Sequence, residues 1–356
     1  MSVAAGPLAR ANWPPAELVI NTRVMTLPMT GVQRYVQEIL PVFGEDIRVL
    51  QPRLPCRGLA GHAWEQMVLP ARCRGAVLFS PSNTGPLAVA RQVVTIHDVV
   101  PLDHPEWLNP RFAAWYRYLI PRLVLRARRV IAISEFTKSR LLATTGVRPE
   151  RVAVIHHGLD PRFAPQPELA VAAVRARLGL RGPYLLALGS LEPRKNLTGL
   201  LRAWAALPEI ERGANRLVLA GGAGHSAVFA PAPLELPEGA TWIGHVADEL
   251  LPALYSGATA FAYLSFYEGF GKPPLEAMAC GTPVLTSGAG ALAEVAGGAA
   301  LTADPHDSAA IAQALRRLLA DAALRGELRE LGLRQAAQFT WATAGRRTLE
   351  TLRAAF

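Results

Sequence analysis

The chain has 356 residues, of which 51% are hydrophobic and 18% charged, and its formal net charge is +9. That length exceeds one ordinary core and suits two folded domains, and the composition excludes disorder. The charge leaves an anionic membrane surface and a phosphorylated substrate as partner classes, whereas nucleic acid lacks any zinc finger, RNP-type motif or basic-region heptad to support it.

Met1 to Trp13 lacks the basic start and apolar stretch of a signal peptide, and no run of about 18 apolar residues appears anywhere. The cysteines, Cys56, Cys73 and Cys280, are odd in number and form no CxxC pair. A reducing cytoplasm and no structural zinc are expected.

Short apolar runs ending in small or polar residues recur between helical patterns. In the first half they are Leu18–Asn21, Ile47–Leu50, Ala76–Ser80, Val93–His97, Val130–Ser134 and Val152–His156; in the second, Tyr184–Gly189, Leu217–Gly221, Trp242–Gly244, Ala260–Leu264 and Pro283–Thr286. Such runs read as buried parallel strands, so the fold class is α/β with two doubly wound sheets. Residues 111–129 place Arg111, Arg117, Arg122, Arg126, Arg128 and Arg129 among Phe112, Trp115, Tyr116 and Tyr118. As a helix this is amphipathic, either packed on the core with a solvated basic face or docked on a membrane. Pro161, Pro165 and Pro167 mark a linker, followed by a helical stretch Glu168–Leu180. The expected organisation is a first domain over 1–160, a linker over 161–182, a second domain over 183–338 and a terminal helix over 339–356 that crosses back to the first domain.

Open parallel sheets bind ligands at the carboxyl ends of their strands. There lie His97 and Asp98, Gly189–Lys195, and Glu268–Gly271, the last within Leu264–Gly281. Glu268 and Glu276 stand eight positions apart across a glycine-rich turn that leads through Pro273 and Pro274 into a helix. A helix start offers backbone donors to phosphate, so acids beside it point to a ligand that is part phosphate and part sugar. A surface loop entering a core helix, with Glu276 as a favourable first-turn acid, explains Glu276 but not Glu268. Arg194 and Lys195, expected at a helix start, suit a diphosphate.

In their order and spacing, GSLEPRKNL (189–197), LAGG (219–222), IGHVAD (243–248), LYSG (254–257) and EGFGKPPLEAMACG (268–281) resemble the retaining glycosyltransferases of family four. The resemblance continues through Thr30–Tyr35, Phe79–Pro81, His97–Asp98, Ile133–Thr137 and His156–Gly158 and covers nearly the whole chain. It implies the GT-B fold, two Rossmann-like domains facing a cleft, with a nucleotide-sugar donor on the second and a glycan or lipid-diphosphate-linked acceptor on the first. Arg194 and Lys195 would bind the diphosphate, helped by Gly189, Ser190 and the backbone of Gly269, Phe270, Gly271 and Lys272. Glu268 would read the sugar hydroxyls, Glu276 the ribose, and His245 and Val246 belong to the donor site. Gly31 would admit the donor from the opposite wall. His97 would donate to a hydroxyl or shift a proton, and with Asp98 would meet the acceptor.

The EPRKN loop is most similar to bacterial mannosyltransferases of surface polysaccharide synthesis, which implies GDP-mannose first, with dTDP-rhamnose or UDP-glucose as fallback. No cofactor and no metal is expected, since neither HExxH nor DxD occurs, and the place of action is the cytoplasm, at the inner membrane face. Ser190 stands where relatives carry arginine, Gln33 where a small residue is common, and Ala293 and Gly298 where a proline and an acid are expected. Gly224-His225-Ser226 lacks the closing glycine of a nucleophile elbow, as Val228 takes its place. A glycosidase pair is excluded because Glu276 is committed to a helix start. A non-catalytic partner-binding relative and a sugar-nucleotide epimerase of similar architecture remain as alternatives.

Overall fold

The computed structural model describes residues 18–44, 47–56, 58–222 and 235–356. Met1–Trp13 and Gly224-His225-Ser226 lie outside the described residues.

Two parallel six-stranded sheets form. The first contains β1 (Leu18–Asn21), β2 (Arg48–Leu50), β3 (Val77–Ser80), β4 (Gln92–Ile96), β5 (Arg129–Ala132) and β6 (Val152–Val154) in the order β2-β1-β3-β4-β5-β6. The second contains β7 (Tyr184–Leu188), β8 (Arg216–Ala220), β9 (Ala240–Trp242), β10 (Ala260–Tyr263), β11 (Val284–Ser287) and β12 (Leu301–Ala303) in the order β12-β11-β10-β7-β8-β9. Central strands such as β3, β4 and β10 are buried along their whole length, which is why they read as continuous apolar runs. β12, a three-residue edge strand of which only Ala303 is buried, is not among the runs read from the sequence.

The helices that matter for the site are α1 (Gly31–Ile39), α2 (Pro110–Arg126), α3 (Leu197–Ala205), α4 (Lys272–Ala279), α5 (Ser308–Ala320) and α6 (Trp341–Arg353). α2 stops before two arginines of the expected 111–129 helix. The Arg128 Nε instead donates to the Ala355 carbonyl at 3.1 Å, and Arg129 opens β5 and donates to the Glu150 carbonyl.

The chain divides into two compact units, one holding residues up to Asp103 with Ala113–Gly158 and Thr340–Phe356, the other His104–Phe112 with Leu159–Phe339. In the first unit α6 seals the core: Leu352 is fully buried, and a Cβ on Gly345 would come within 2.5 Å of Val42. In the second unit the stretch after Pro167 forms a helix, Glu168–Arg177. Its Val174 is buried, and Val171 lies so close to Gly257 that a Cβ there would meet it at 2.6 Å.

Strand order places the crevice of the second sheet. From β7 the chain proceeds outward through β8 and β9, and from β10 it proceeds the other way through β11 and β12. β7 and β10 therefore adjoin at a topological switch point, where the loops leaving their carboxyl ends part to opposite faces.

Candidate functional site

The loop leaving β7 is held close to the sheet. The Gly189 amide donates to the Ala220 carbonyl at 2.9 Å, and a Cβ on Gly221, whose φ is 145°, would lie 2.1 Å from the Gly189 oxygen. Only glycine fits that approach. Pro193–Lys195 form a single 3-10 turn, and Asn196 then adopts a left-handed conformation at φ 53°. Its Nδ2 donates to the Leu264 carbonyl at 3.1 Å and the Pro305 carbonyl at 2.7 Å. Arg194 and Lys195 thus precede helix α3 instead of opening it, since Asn196 breaks the turn before the helix begins. Their place is set by the pinned loop and not by the helix dipole.

From β10 comes the counter-charge. Glu268 Oε2 lies 2.8 Å from Arg194 Nη1, and Oε1 lies 2.7 Å from Lys195 Nζ. The side chains of Glu268, Arg194 and Lys195 are 10%, 15% and 11% exposed, so the pairs are shielded from water. Burial alone raises the Glu268 pKa, but Arg194 and Lys195 more than reverse it and hold the carboxyl at about 2. Burial and the neighbouring Arg194 charge push Lys195 below the usual lysine value, against the pull of Glu268 and Glu192. A carboxylate so held is ionised at every physiological pH and makes a poor general acid.

Two partners in this network were absent from the expectations. The Tyr263 hydroxyl donates to Glu268 Oε1 at 2.8 Å and accepts from Lys195 Nζ at 2.5 Å. Glu192 accepts from Arg194 Nε at 2.8 Å and from the Ser190 hydroxyl. Glu192 lay within the quoted loop and could have been read as the arginine's partner at i+2. Tyr263 is an aromatic inside a buried strand, and its hydroxyl gains meaning only when the β7 loop folds over it.

The turn after Glu268 runs into α4. Gly271 takes φ 108°, and a Cβ there would lie 2.7 Å from Leu292 Cδ2. Pro273 and Pro274 occupy the first turn, where their missing N–H groups cost nothing. The rival reading of a surface loop with Glu276 as a first-turn acid fails, because α4 starts at Lys272 and puts Glu276 in its second turn. There it is buried, with its Oε2 accepting from the Tyr255 hydroxyl at 3.2 Å. Phe270 is buried against Phe339, ring centroids 5.8 Å apart. Beyond β9, His245 is exposed and Val246 buried, and the Gly221 amide donates to the Gly244 carbonyl at 2.7 Å.

The remaining expected residues lie in the first unit. His97 ends β4, fully enclosed, with its Nε2 2.8 Å from the Pro81 carbonyl and its ring edge-on to Tyr35 at 4.8 Å. A carbonyl only accepts, so Nε2 carries the proton and Nδ1 is an acceptor. Burial pushes the pKa down to about 4, against the help of that hydrogen bond, which leaves the ring neutral near pH 7. In this tautomer Nδ1 can accept from a hydroxyl, as a proton shift requires. Asp98 Oδ1 accepts from the Val100 amide at 3.2 Å. Gly31 is the first residue of α1, and a Cβ on it would meet nothing within 4 Å. Gln33, the unusual residue of that loop, closes a capping box with Thr30 and donates to the Val24 carbonyl at 3.3 Å.

Among the described residues no group of three or more His, Cys, Asp or Glu side chains could hold a metal ion. Among the same residues no helix is long and apolar enough to cross a membrane.

Residues 174–335 match the family model of glycosyl transferases group 1, and residues 78–163 that of Glycosyltransferase Family 4. O-antigen chain mannosyltransferase B of Escherichia coli is 31% identical over 314 residues, 87% of this chain and 79% of that protein. D-inositol 3-phosphate glycosyltransferase of Salinispora arenicola is 33% identical over 241 residues, 62% of this chain and 53% of that protein. The crystal structure of Anabaena HepE in complex with UDP-glucose superposes with a TM-score of 0.75 over 95% of this chain and 99% of that one, at 20% identity. That last likeness is one of fold. With the switch-point site, the two sheets and the extent of the first relative's match, the chain belongs to the group 1 (family four) glycosyltransferases and has their GT-B fold.

Proposed function

We propose that the chain is a retaining, metal-independent hexosyltransferase that moves mannose from GDP-mannose to a glycan or lipid-diphosphate-linked acceptor in surface polysaccharide synthesis. The observation that carries this reading is the meeting of Arg194 and Lys195 from β7 with Glu268 from β10 at the switch point. Lys195 engages Tyr263 and Glu268 with two of its three donors, so one N–H remains for a phosphate oxygen. Arg194 and Lys195 would hold the diphosphate and stabilise the charge that builds on it as the glycosidic bond breaks. Two fixed cations do there what a divalent metal does elsewhere. Glu268 would orient the sugar hydroxyls, Glu276 the ribose, and backbone N–H groups from Phe270 to Lys272, ahead of the two prolines, would donate to the phosphates.

No side chain of the described network is a free nucleophile, because Glu268 is engaged by Arg194, Lys195 and Tyr263. The acceptor hydroxyl would attack from the face the diphosphate leaves, passing its proton to a departing phosphate oxygen. Mannose is favoured by the similarity to the E. coli mannosyltransferase. The test is transfer by the full chain from GDP-mannose, dTDP-rhamnose and UDP-glucose to a mannose-terminated lipid-diphosphate primer in EDTA. GDP-mannose should be the best donor, with an α linkage by NMR. A β linkage, or transfer only with added divalent cation, would contradict the mechanism.

The same reading places the enzyme on an anionic membrane surface. α2 carries no acidic residue, and Arg117, Tyr118, Arg122, Leu125 and Arg126 are exposed along it, with the Arg122 guanidinium 3.9 Å from the Tyr118 ring centroid. Cations above aromatic and aliphatic side chains suit phosphate headgroups over an acyl boundary. Sedimentation with phosphatidylglycerol vesicles at low salt should exceed that with neutral vesicles and fall in Arg122→Glu/Arg126→Glu. Equal sedimentation with both vesicle types would count against docking.

A further inference from the structure

A second concavity lies in the same unit as Arg194 and Glu268 but opens beside the starts of α3 and α5. Its volume is about 340 Å³, and its lining includes Glu192, Thr198, Arg202, Phe266, His306 and Ser308. That volume falls within the range of about 300 to 1,000 Å³ common for small-molecule sites. None of the roles given so far to Arg194, Lys195, Glu268 or Glu276 uses it.

Its walls differ in chemistry. One is aromatic: the rings of Phe266 and His306 stack with centroids 4.6 Å apart at an interplanar angle of 22°. Behind Phe266 the row continues to Trp107 at 6.4 Å, and from Trp107 to His104 at 4.0 Å. The lining also carries charge. Arg202 is exposed on α3 and has no ion pair or side-chain hydrogen bond among the described residues. Helical side chains lean toward the helix amino terminus, which carries the guanidinium from the last turn of α3 toward the cavity. A solvated arginine in a last turn would also satisfy the dipole of α3, but that does not account for its sharing one cavity lining with Phe266 and His306.

The lining also includes Glu192, 8% exposed and fixed by Arg194 and the Ser190 hydroxyl. A carboxylate with spare lone pairs accepts from hydroxyls, and a guanidinium donates to them. An isolated phosphate would meet the Glu192 charge, and a purely apolar group would cover Arg202 without giving it a partner. A sugar ring meets neither penalty, since its C–H face packs on an aromatic ring while its hydroxyls reach the charged side chains.

We propose that this cavity is a carbohydrate subsite, which holds a ring of the acceptor glycan other than the one His97 and Asp98 are expected to meet, while transfer takes place at the neighbouring network. The proposal rests on the transferase reading. Glu192 joins the two, one carboxylate facing the cavity and clamping Arg194. Occupation of the subsite would fix the clamp and so keep Arg194 in position when an acceptor is present.

The test uses the full chain with GDP, α-mannotriose and maltotriose as probes, followed by saturation-transfer NMR and calorimetry. Mannotriose should bind to the wild-type chain, and Arg202→Ala and Phe266→Leu should each weaken it about tenfold. GDP affinity should stay within about twofold, which also reports that the variants are folded. With mannotriose as acceptor, KM should rise and kcat change little. If neither oligosaccharide binds, or mannotriose binds undiminished in both variants while GDP still binds, the subsite is overturned and the transferase reading stands. Loss of GDP binding in the wild-type chain overturns both.

Discussion

Lys195→Ala is expected to lower kcat about 10²- to 10³-fold while leaving the fold intact. The reasoning starts from position. Lys195 is 11% exposed and fixed by Tyr263 and Glu268 with Nζ at 2.5 and 2.7 Å, so its charge is already in place before any diphosphate gains negative charge. Removal of one such preorganised donor typically costs about 2.7 to 4 kcal/mol of barrier. Lys195→Arg should recover only part of the loss, because a planar guanidinium cannot place a compact charge between Tyr263 and Glu268. Steady-state kinetics with GDP-mannose, beside a thermal melt of each variant, separates the two effects. Full activity in a folded Lys195→Ala chain would remove Lys195 from the mechanism.

Glu268→Ala should be the most damaging change to stability at the site, destabilising the second unit by about 3 to 5 kcal/mol. It removes the counter-charge of two enclosed cations and a partner of the Tyr263 hydroxyl. Glu268→Gln keeps the volume and one acceptor and should cost less. The pH dependence has a definite sign. Folding depresses the Glu268 pKa to about 2 from the ordinary carboxylate value, so the contribution is present above about pH 4.3 and is lost as pH falls through about 2. Wild type and Glu268→Ala should therefore differ in urea midpoint at pH 7 and converge toward pH 2. A constant gap across that range, or a cost below about 1 kcal/mol at pH 7, would contradict the burial argument.

The inner strands were legible because a parallel strand covered on both faces must be apolar along its length, as β3, β4 and β10 are. β12 carries no such signal. The carriers of charge were legible too, since Arg194, Lys195 and Glu268 follow strand ends. Their mutual geometry was not. Asn196 ends the turn because its small amide tolerates left-handed backbone and finds two carbonyls, Leu264 and Pro305, that are remote in sequence. Tyr263 and Glu192 likewise act through partners that only the folded loops supply. His97 was placed correctly at the end of β4, but the carbonyl that fixes its tautomer belongs to Pro81, sixteen residues earlier.

The claim on which the rest depends is that the Arg194–Lys195 pair grips a diphosphate. The most direct measurement is calorimetric affinity for GDP and GMP in wild type and Lys195→Ala. The wild-type chain should bind GDP about tenfold or more tighter than GMP, and Lys195→Ala should lose most of that difference while GMP affinity stays unchanged. Equal affinity for GDP and GMP in the wild-type chain, or a preference for GDP that survives in Lys195→Ala, would contradict it.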